Sequence, residues 1–495
     1  MISKGPVWGA SLALGLDSES SEPLFLQVAR GLTEAIRGGR LGRGTRLPGT
    51  RQLASELEVH RNTVIRAYAE LEQEGWIEMR PRSGAFVSTS LPELPLRRSR
   101  RTEPLARAST PGFDWSALPP RALEVPRNVE LDLGGGIPDP RLFPERELGR
   151  ALRRALLSDA ARVLAYGHPE GHPRLRSALA ELVAKSRGIS ASADEILVTR
   201  GSQMALYLLA KVLLEPGDAV AVEALGYPPA WNAFRARGAT LVPVPVDAHG
   251  LDVAFLENAL ERRTIRAVYV TPHHQFPTMA TLSAPRRLAL LALARKRRFA
   301  VIEDDYDHEF HFEGRPILPL ANRDPDRVVV YVGTLSKSVA PGLRTGWVVA
   351  PRSIVEAMAR SREEVDRQGD LLLEAAVAEL LEDGVIQRHA RKARRVYAAR
   401  RALAAELWER ALGHALSFEL ASGGLAIWGR VKGVDAERWA RAALSLGVLV
   451  SPGRRYAFDG RPLRALRLGF ANLDDRRLRE AVRRLSLALE SARSR

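Results

Sequence analysis

Lys337 stands in Gly333-Thr-Leu-Ser-Lys-Ser-Val-Ala-Pro-Gly-Leu-Arg344, directly after the apolar run Val328 to Val332, and is one of only seven lysines in the chain. An amine held among small and hydroxyl-bearing residues at the end of a buried strand is placed for Schiff-base chemistry with a carbonyl. Other residues have the types that such chemistry needs. Gly201-Ser-Gln follows an apolar run ending at Thr199 and opens the helical run Met204 to Leu214. Ser202 and Gln203 therefore sit at a helix N-terminus, where free N–H groups and the positive dipole end suit a phosphate. Asp304, in Val301-Ile-Glu-Asp-Asp-Tyr-Asp, can pair with a protonated ring nitrogen; as a plain helix N-cap it would do no chemistry. Tyr306 can donate to a phenolate oxygen, and Tyr227 in Gly226-Tyr-Pro-Pro offers a flat face for stacking. Arg344, past the Pro341-Gly342 turn, can clamp a phosphate through its planar fork.

These residues must be positioned by the elements around them. Beyond Leu131, helical segments alternate with short apolar runs at Ile196–Thr199, Ala219–Val222, Thr240–Val244, Ala267–Val270, Ala300–Ile302, Val328–Val332 and Gly346–Val349. That alternation predicts a mainly parallel, doubly wound α/β sheet, with ligands at the carboxyl ends of its strands, where the special residues cluster. A strand-glycine-helix turn alone is common. Jointly, a lysine nucleophile, an acid partner, a stacking ring and a phosphate cradle describe a pyridoxal phosphate site.

The chain has 495 residues, too many for one ordinary core, and predicts two or three domains. It has no cysteine, which excludes a disulfide scaffold, a thiol nucleophile and cysteine-ligated metal, and fits a reducing cytoplasm. No apolar run approaches the roughly 20 residues of a membrane-spanning helix. The apolar stretch Val7 to Leu16 has one lysine before it and no small-residue cleavage pattern after it, so a secretory signal is not expected. The formal charge of +16 is not a simple nucleic-acid footprint, because residues 1–90 hold eleven Lys/Arg against ten Asp/Glu. Local placement says more.

Residues 40–82 carry eight arginines among helix signals. Thr50 can cap a short helix reaching Glu58. A second helix beginning near Arg61 has Val64, Tyr68 and Leu71 at i, i+4 and i+7, one buried stripe, with Asn62, Arg66 and Gln73 roughly opposite. That outer face suits a major groove, where arginine reads guanine edges and the helix start meets phosphates or adenine. Glu78 to Val87 reads as two short strands around a basic turn, completing a winged helix-turn-helix; a three-helix interaction module with a solvated charged face is the alternative. From Leu91 to Glu130 the composition turns to proline, serine and arginine without periodicity, a linker in preference to a separate small domain. As a coil of about 40 residues it would span on the order of 35 Å. The expected domains are thus 18–88, a linker over 89–130, and 131–495.

Pro23-Leu-Phe-Leu-Gln-Val, Gly44-Thr-Arg-Leu-Pro-Gly-Thr-Arg-Gln-Leu-Ala, His60-Arg-Asn-Thr-Val and Leu71-Glu-Gln-Glu-Gly-Trp-Ile, in that order, resemble the GntR family of bacterial transcription regulators. The resemblance implies DNA contacts from Arg51, Arg61, Asn62, Thr63 and Arg66, and from Arg82 to Gly84 in the wing. Glu58-Val-His60 departs from the family's glycine-containing turn and serine, which alters a cap or a phosphate contact. Tyr166-Gly-His-Pro-Glu-Gly-His-Pro, Gly201-Ser-Gln, Asp304, Gly333-Thr-Leu-Ser-Lys337 and Arg467-Leu-Gly-Phe resemble the fold type I aminotransferases. This implies that Lys337 forms the internal aldimine with pyridoxal phosphate, Asp304 pairs with the ring nitrogen and Tyr306 contacts the ring hydroxyl. It further implies that Ser202, Gln203, Thr334, Ser336 and Arg344 surround the phosphate, Tyr166 reaches the neighbouring subunit's site, and Arg467 holds a substrate carboxylate.

The joined architecture is similar to the MocR/GabR family of pyridoxal phosphate-dependent transcription regulators, with Thr271-Pro-His-His-Gln-Phe-Pro-Thr and Glu303-Asp-Asp-Tyr-Asp-His-Glu-Phe310 as family-style motifs. Where aminotransferases have asparagine before Pro-Thr-Gly, this chain has His274-Gln-Phe, with Met279 for the final glycine; His274 is thereby a candidate ring contact and efficient turnover is not expected. Pro229 stands where GABA-responsive members carry an arginine, which disfavours a GABA response. The expectation is a cytoplasmic, head-to-tail homodimeric regulator of double-stranded operator DNA, with an amino compound or the cofactor itself as effector. A working aminotransferase with a regulatory head is the alternative; a DNA-binding protein with a dead cofactor fold is disfavoured because Lys337 and Asp304 are intact.

Overall fold

A computed structural model of the chain describes residues 14–17, 20, 22–92, 113–114, 129–314 and 317–493. The chain divides into two compact units, residues 1–119 and 120–495. Most of the expected linker, at 93–112 and 115–128, lies outside the described residues.

The first unit is built on three helices, α1 (Leu24–Arg37), α2 (Thr50–Glu56) and α3 (Arg61–Gln73), followed by strands β1 (Ile77–Arg80) and β2 (Gly84–Val87). Helix α1 buries Val28, Leu32, Ala35 and Ile36, and α3 buries Val64, Ala67, Tyr68 and Leu71, so the two apolar stripes close one core over Trp76 and Ile77. The Tyr68 hydroxyl donates to the Pro48 carbonyl at 2.8 Å, tying α3 to the turn that starts α2. Strands β1 and β2 pair antiparallel from Ile77↔Val87 to Arg80↔Gly84. Two expectations are corrected: Gly49, not Thr50, is the cap residue of α2, and that helix stops at Glu56 because Leu57 is its C-cap and Glu58 turns left-handed at φ 54°.

The second unit centres on a seven-stranded sheet. Its strands are β3 (Ile196–Thr199), β4 (Ala219–Glu223), β5 (Thr240–Val244), β6 (Ile265–Val270), β7 (Ala300–Asp305), β8 (Val329–Thr334) and β9 (Gly346–Val349), in the order β3-β9-β8-β7-β6-β4-β5. All seven apolar runs thus fall in one sheet. Four neighbouring pairs are parallel, and β9 runs antiparallel to both β3 and β8, so the sheet is mixed. Strands β3, β4, β8 and β9 are buried at every position, as a sheet covered on both faces requires. Alternate residues serve opposite faces. Val330, Val332 and Val348 meet helix α4 (Ser202–Leu213) and its neighbours, whereas Tyr331, Trp347 and Val349 meet a layer containing Leu175, Leu179 and Ala376. A smaller antiparallel sheet, β10 (Leu416–Ser417), β11 (Ala426–Val431), β12 (Ser451–Pro452) and β13 (Ala465–Gly469), runs in the order β10-β11-β13-β12 and packs with the long helix Val385–Leu412 and the final helix Asp475–Arg493.

The strand that leads to Lys337 needs one glycine for packing. A Cβ added at Gly333 on β8 would lie 2.3 Å from the indole of its register partner Trp347, a fully buried side chain. Gly333→Ala is therefore expected to destabilise the second unit by about 1–3 kcal/mol. Gly342→Ala, with no atom within 4 Å of the new Cβ, should stay within about 0.5 kcal/mol of wild type. Denaturant midpoints of that unit's tryptophan fluorescence check the pair.

Candidate functional site

Three strand ends converge on a cavity of about 260 Å³ lined by, among others, Ser202, Gln203, Tyr227, Asp304, Tyr306, Thr334, Ser336, Lys337 and Arg344. Nine of the sequence-predicted site residues therefore meet in one cleft. The strand β7 extends three residues further than the sequence suggested, to Asp305, so Asp304 lies in the strand and not at a helix cap. Burial is its controlling feature. The Tyr269 hydroxyl donates to Asp304 Oδ2 at 2.9 Å, while Oδ1 is buried with no partner. Loss of hydration pushes this carboxyl up to about 7, with the Asp305 and Asp307 charges adding to the rise. A buried, unpaired carboxylate oxygen calls for a cationic N–H from a ligand.

On the opposite wall, Lys337 Nζ donates to the Gly136 carbonyl at 3.1 Å. Burial, and then the Arg467 charge, bring its amine down to about 8. Gly201 precedes α4 at φ 80°, a left-handed conformation, so the first N–H groups of that helix open into the cleft mouth. The same glycine admits Arg344: a Cβ there would lie 3.0 Å from Arg344 Nη2, which also donates to the Arg200 carbonyl at 2.7 Å. The Thr334 hydroxyl donates to the Thr345 carbonyl at 3.2 Å and lies 3.0 Å from the Ser336 hydroxyl, which donates to it, while the Ser336 N–H donates to Thr334 Oγ1, which fixes this hydroxyl-rich turn beside the helix start. Free N–H groups, two hydroxyls and a guanidinium form an anion cradle.

Tyr227 stands edge-on to Phe276, with ring centroids 5.3 Å apart, and Phe276 is in turn edge-on to Tyr306 and Tyr456. Arg467, on β13, is buried; its guanidinium lies 4.6 Å above the Phe276 ring, and its Nε and Nη1 have no partner. A buried guanidinium with two free donors is a receptor for a carboxylate. The fit to pyridoxal phosphate is specific: an orphan acid for the ring nitrogen, an anion cradle for the phosphate, an aromatic wall and a nucleophilic amine.

Two expected residues stand elsewhere. His274 does not face the cleft. Its imidazole is turned to Asp307, with Nδ1 and Oδ1 2.8 Å apart, because a buried ring needs a partner, and only its carbonyl serves the site by accepting from the Tyr306 hydroxyl at 2.9 Å. Phe276 is the residue of that segment that lines the cavity. Tyr166 is 80% exposed, with Arg367 stacked 4.4 Å over its ring, and does not line its own chain's cleft. Met279 holds φ 66° in the left-handed region, where glycine would carry no strain, at a cost of about 1–2 kcal/mol. Sequence reasoning missed Gly135, Tyr269, Thr271 and Phe276; a tyrosine within the buried run Ala267–Val270 of β6 was the available signal for Tyr269.

In the first unit, Arg51, Arg61, Asn62, Arg66, Arg82 and Gly84 are exposed and Thr63 is half-buried. His60 caps α3 where the resemblance expects serine: its Nδ1 accepts from the Asn62 N–H at 3.2 Å. Arg61 Nε approaches Thr50 Oγ1 at 3.4 Å, joining the starts of α2 and α3. Arg66 is partly committed to packing, its guanidinium lying 3.8 Å over the Phe25 ring. Arg82 takes φ 60° and Gly84 φ 99°, which form the tight wing turn.

Residues 24–87 match the family of bacterial regulatory proteins called gntR, and residues 135–485 match aminotransferase class I and II. The chain is 34% identical over 487 residues to the probable rhizopine catabolism regulatory protein MocR of Rhizobium meliloti, covering 97% of each chain. It is 34% identical to the HTH-type transcriptional regulator TauR of Rhodobacter capsulatus, over 92% of this chain and 95% of that one. The crystal structure of LysN, an alpha-aminoadipate aminotransferase of Thermus thermophilus complexed with N-(5'-phosphopyridoxyl)-L-leucine, superimposes with a TM-score of 0.69 at 32% identity, covering 74% of this chain and 93% of that one.

The raised Asp304 carboxyl has a consequence for stability. In cofactor-free protein its folded-state value, about 7, lies above its ordinary unfolded value, so folding favours the protonated form. The penalty for burying its charge is absent below about pH 4, builds between about pH 4 and 7 and is constant above. Asp304→Asn should accordingly stabilise the cofactor-free chain by up to a few kcal/mol at pH 8, a gain that fades as pH falls to about 4. Urea unfolding of both proteins across that range measures the difference.

Proposed function

We infer function from one premise: the chain belongs to the MocR-type regulators, in which a gntR-type DNA-binding domain is fused to an aminotransferase-like domain. In this reading it is a cytoplasmic transcription regulator that holds pyridoxal phosphate at Lys337, takes a carboxylate-bearing amino compound or the cofactor itself as effector, and binds operator DNA as a head-to-tail homodimer. The observation that carries the effector class is Arg467, buried with two free donors close enough to Lys337 to lower its amine.

When bound, the cofactor supplies an electrophilic carbonyl carbon that captures primary amines. Lys337 serves that chemistry because an amine brought down to about 8 is roughly a tenth neutral at pH 7, against about one part in three thousand for an ordinary lysine. Asp304 Oδ1 holds the proton on the ring nitrogen, and the α4 N-terminus with Thr334, Ser336 and Arg344 holds the phosphate. Tyr227 and Phe276 exclude water from the ring's surroundings. Arg467 orients an incoming amine by its carboxylate, so that recognition and covalent capture depend on the same effector molecule. Phe276 supplies no hydrogen bond where an aminotransferase has asparagine, which supports sensing over turnover. The exposed Tyr166 supports a partner subunit as its place of contact.

In the DNA-binding unit, Arg51, Arg61, Asn62 and Thr63 present the α3 start to the major groove, and Arg82 to Gly84 follow the backbone beside it. Arg66 contributes with part of its fork only, since it already covers Phe25.

The second reading, a working aminotransferase with a regulatory head, is favoured by the intact set of Lys337, Asp304 and Arg467, and multiple turnovers with an amino acid and a 2-oxo acid would establish it in place of the first. For the regulator, Lys337→Ala should abolish the visible cofactor absorbance and the effect of candidate amines on DNA binding, read by gel shift on the DNA upstream of the chain's own gene. An unchanged spectrum overturns the cofactor assignment. Arg467→Ala should keep the absorbance and lose the response to carboxylate-bearing amines. Arg61→Ala should weaken specific binding by about 1–3 kcal/mol while leaving the cofactor spectrum intact.

A further inference from the structure

Behind the cleft, on the far side of Tyr306, lies a group of imidazoles that neither cofactor capture nor effector recognition uses. His273 and His274 follow β6 after Thr271 and Pro272, and His311 enters from the segment after β7 through an isolated bridge to Gly423. One ring nitrogen of each lies within 4.8 Å of the others. His273 and His274 are buried and His311 is half-buried. The His273 and His274 rings stand perpendicular with centroids 4.7 Å apart, and His274 and His311 lie nearly parallel at 6.3 Å.

Each of the three rings has a buried nitrogen without a hydrogen-bond partner among the described residues: Nδ1 of His273, Nε2 of His274 and Nδ1 of His311. Three such atoms in one place are costly unless something satisfies them together. The His274 Nδ1 faces the Asp307 carboxylate at 2.8 Å, where an N–H is the matching donor, so the neutral ring in this tautomer carries its lone pair on Nε2. A carboxylate that fixes the tautomer of a ligating histidine is the usual outer support of a bound transition metal. Gly423 packs against this ring, since a Cβ there would sit 2.3 Å from Nε2 and 2.5 Å from Cε1, so only a glycine lets the His274 imidazole take this position.

We propose that His273, His274 and His311 form a binding site for a divalent transition metal ion, zinc in the first instance, with Asp307 as its outer-shell carboxylate. Imidazole donors select zinc, copper or nickel over magnesium or calcium, and three of them leave a fourth position for water. Tetrahedral ligation requires nitrogens about 3.3 Å apart, so the set contracts by up to about 1.5 Å on binding. His311, half-buried and on a loop, is the element that moves. It also lines a cavity of about 250 Å³ with His308, Glu309 and Arg391, which supplies the route of entry. His273 also belongs to a second group with Asp305 and His308, but there the His308 Nδ1 already lies 2.9 Å from the Asp305 carboxylate and its Nε2 faces the Ser186 carbonyl, whereas the ring nitrogens of His274 and His311 are the freer pair. Occupancy would pin the His274 backbone, whose carbonyl receives the Tyr306 hydroxyl.

The test uses untagged full-length protein loaded with its cofactor, stripped with EDTA, dialysed against zinc chloride and assayed for retained metal by atomic absorption, with cobalt(II) as an optical probe. Wild type should hold one zinc per chain and give the visible bands of a low-coordinate cobalt(II) ion. His311→Ala should weaken zinc binding by about 100-fold or more, and Asp307→Asn by roughly 10–100-fold, as loss of an outer-shell partner does. The exposed His249→Ala serves as control and should bind as wild type does, and circular dichroism confirms that each variant is folded. Retention of zinc no greater in wild type than in His311→Ala overturns the proposal, as does binding that all four proteins share equally.

Discussion

The second unit depends on one constraint, the burial of a carboxylate with half its hydrogen-bonding capacity left open. Asp304 is the penultimate residue of a strand in the middle of the sheet, where Tyr269 satisfies one oxygen and nothing among the described residues satisfies the other. Burial disfavours its charged form, so the carboxyl moves up toward neutrality and the free oxygen, on the wall of the cleft, suits a cationic donor. The surrounding sheet over-determines this arrangement. Strands buried at every position on both faces hold Asp304 against relaxation, and the stability lost there is recovered when a ligand that brings its own N–H occupies the site.

Opposite charges repeat the same economy on the other wall. Arg467 is buried without a carboxylate of its own, and it presses the Lys337 amine toward neutrality. An unpaired buried acid and an unpaired buried base in one cleft are unfavourable for the folded chain and favourable for a zwitterionic partner. The anion cradle differs, because it is assembled from backbone: the α4 N-terminus and the left-handed Gly201, which lets Arg344 close in from the next turn. Close approach of main chain, not side-chain chemistry, decides where a phosphate can sit.

The DNA-binding unit illustrates substitution within fixed physics. A helix start must satisfy its free N–H groups, and His60 does through its ring nitrogen what a serine hydroxyl would do. Arg66, on the outer face of α3, is drawn onto Phe25, so a residue that periodicity places on the reading face divides its guanidinium between packing and recognition.

Sequence by itself determined the two folded units, the seven strands of the main sheet and most of the cleft, because these follow from local signals: apolar runs, glycine turns feeding helices, and a lysine, an aspartate and arginines at the ends of runs. Boundaries moved by one to three residues where hydrogen bonding across the sheet extended β7 and β8 beyond their aliphatic cores. Tertiary structure alone decided which side chains of Thr271 to Met279 face the cleft. His274 looked like a ring contact from its position in the motif, yet it turns to Asp307, from a segment thirty-three residues away, and Phe276 takes the wall. The gathering of His273, His274 and His311, and the isolation of Asp304 Oδ1 and Arg467, were equally invisible in the sequence. Whether a buried polar atom has a partner is a property of all the chain segments that fold around it, and no local pattern encodes that.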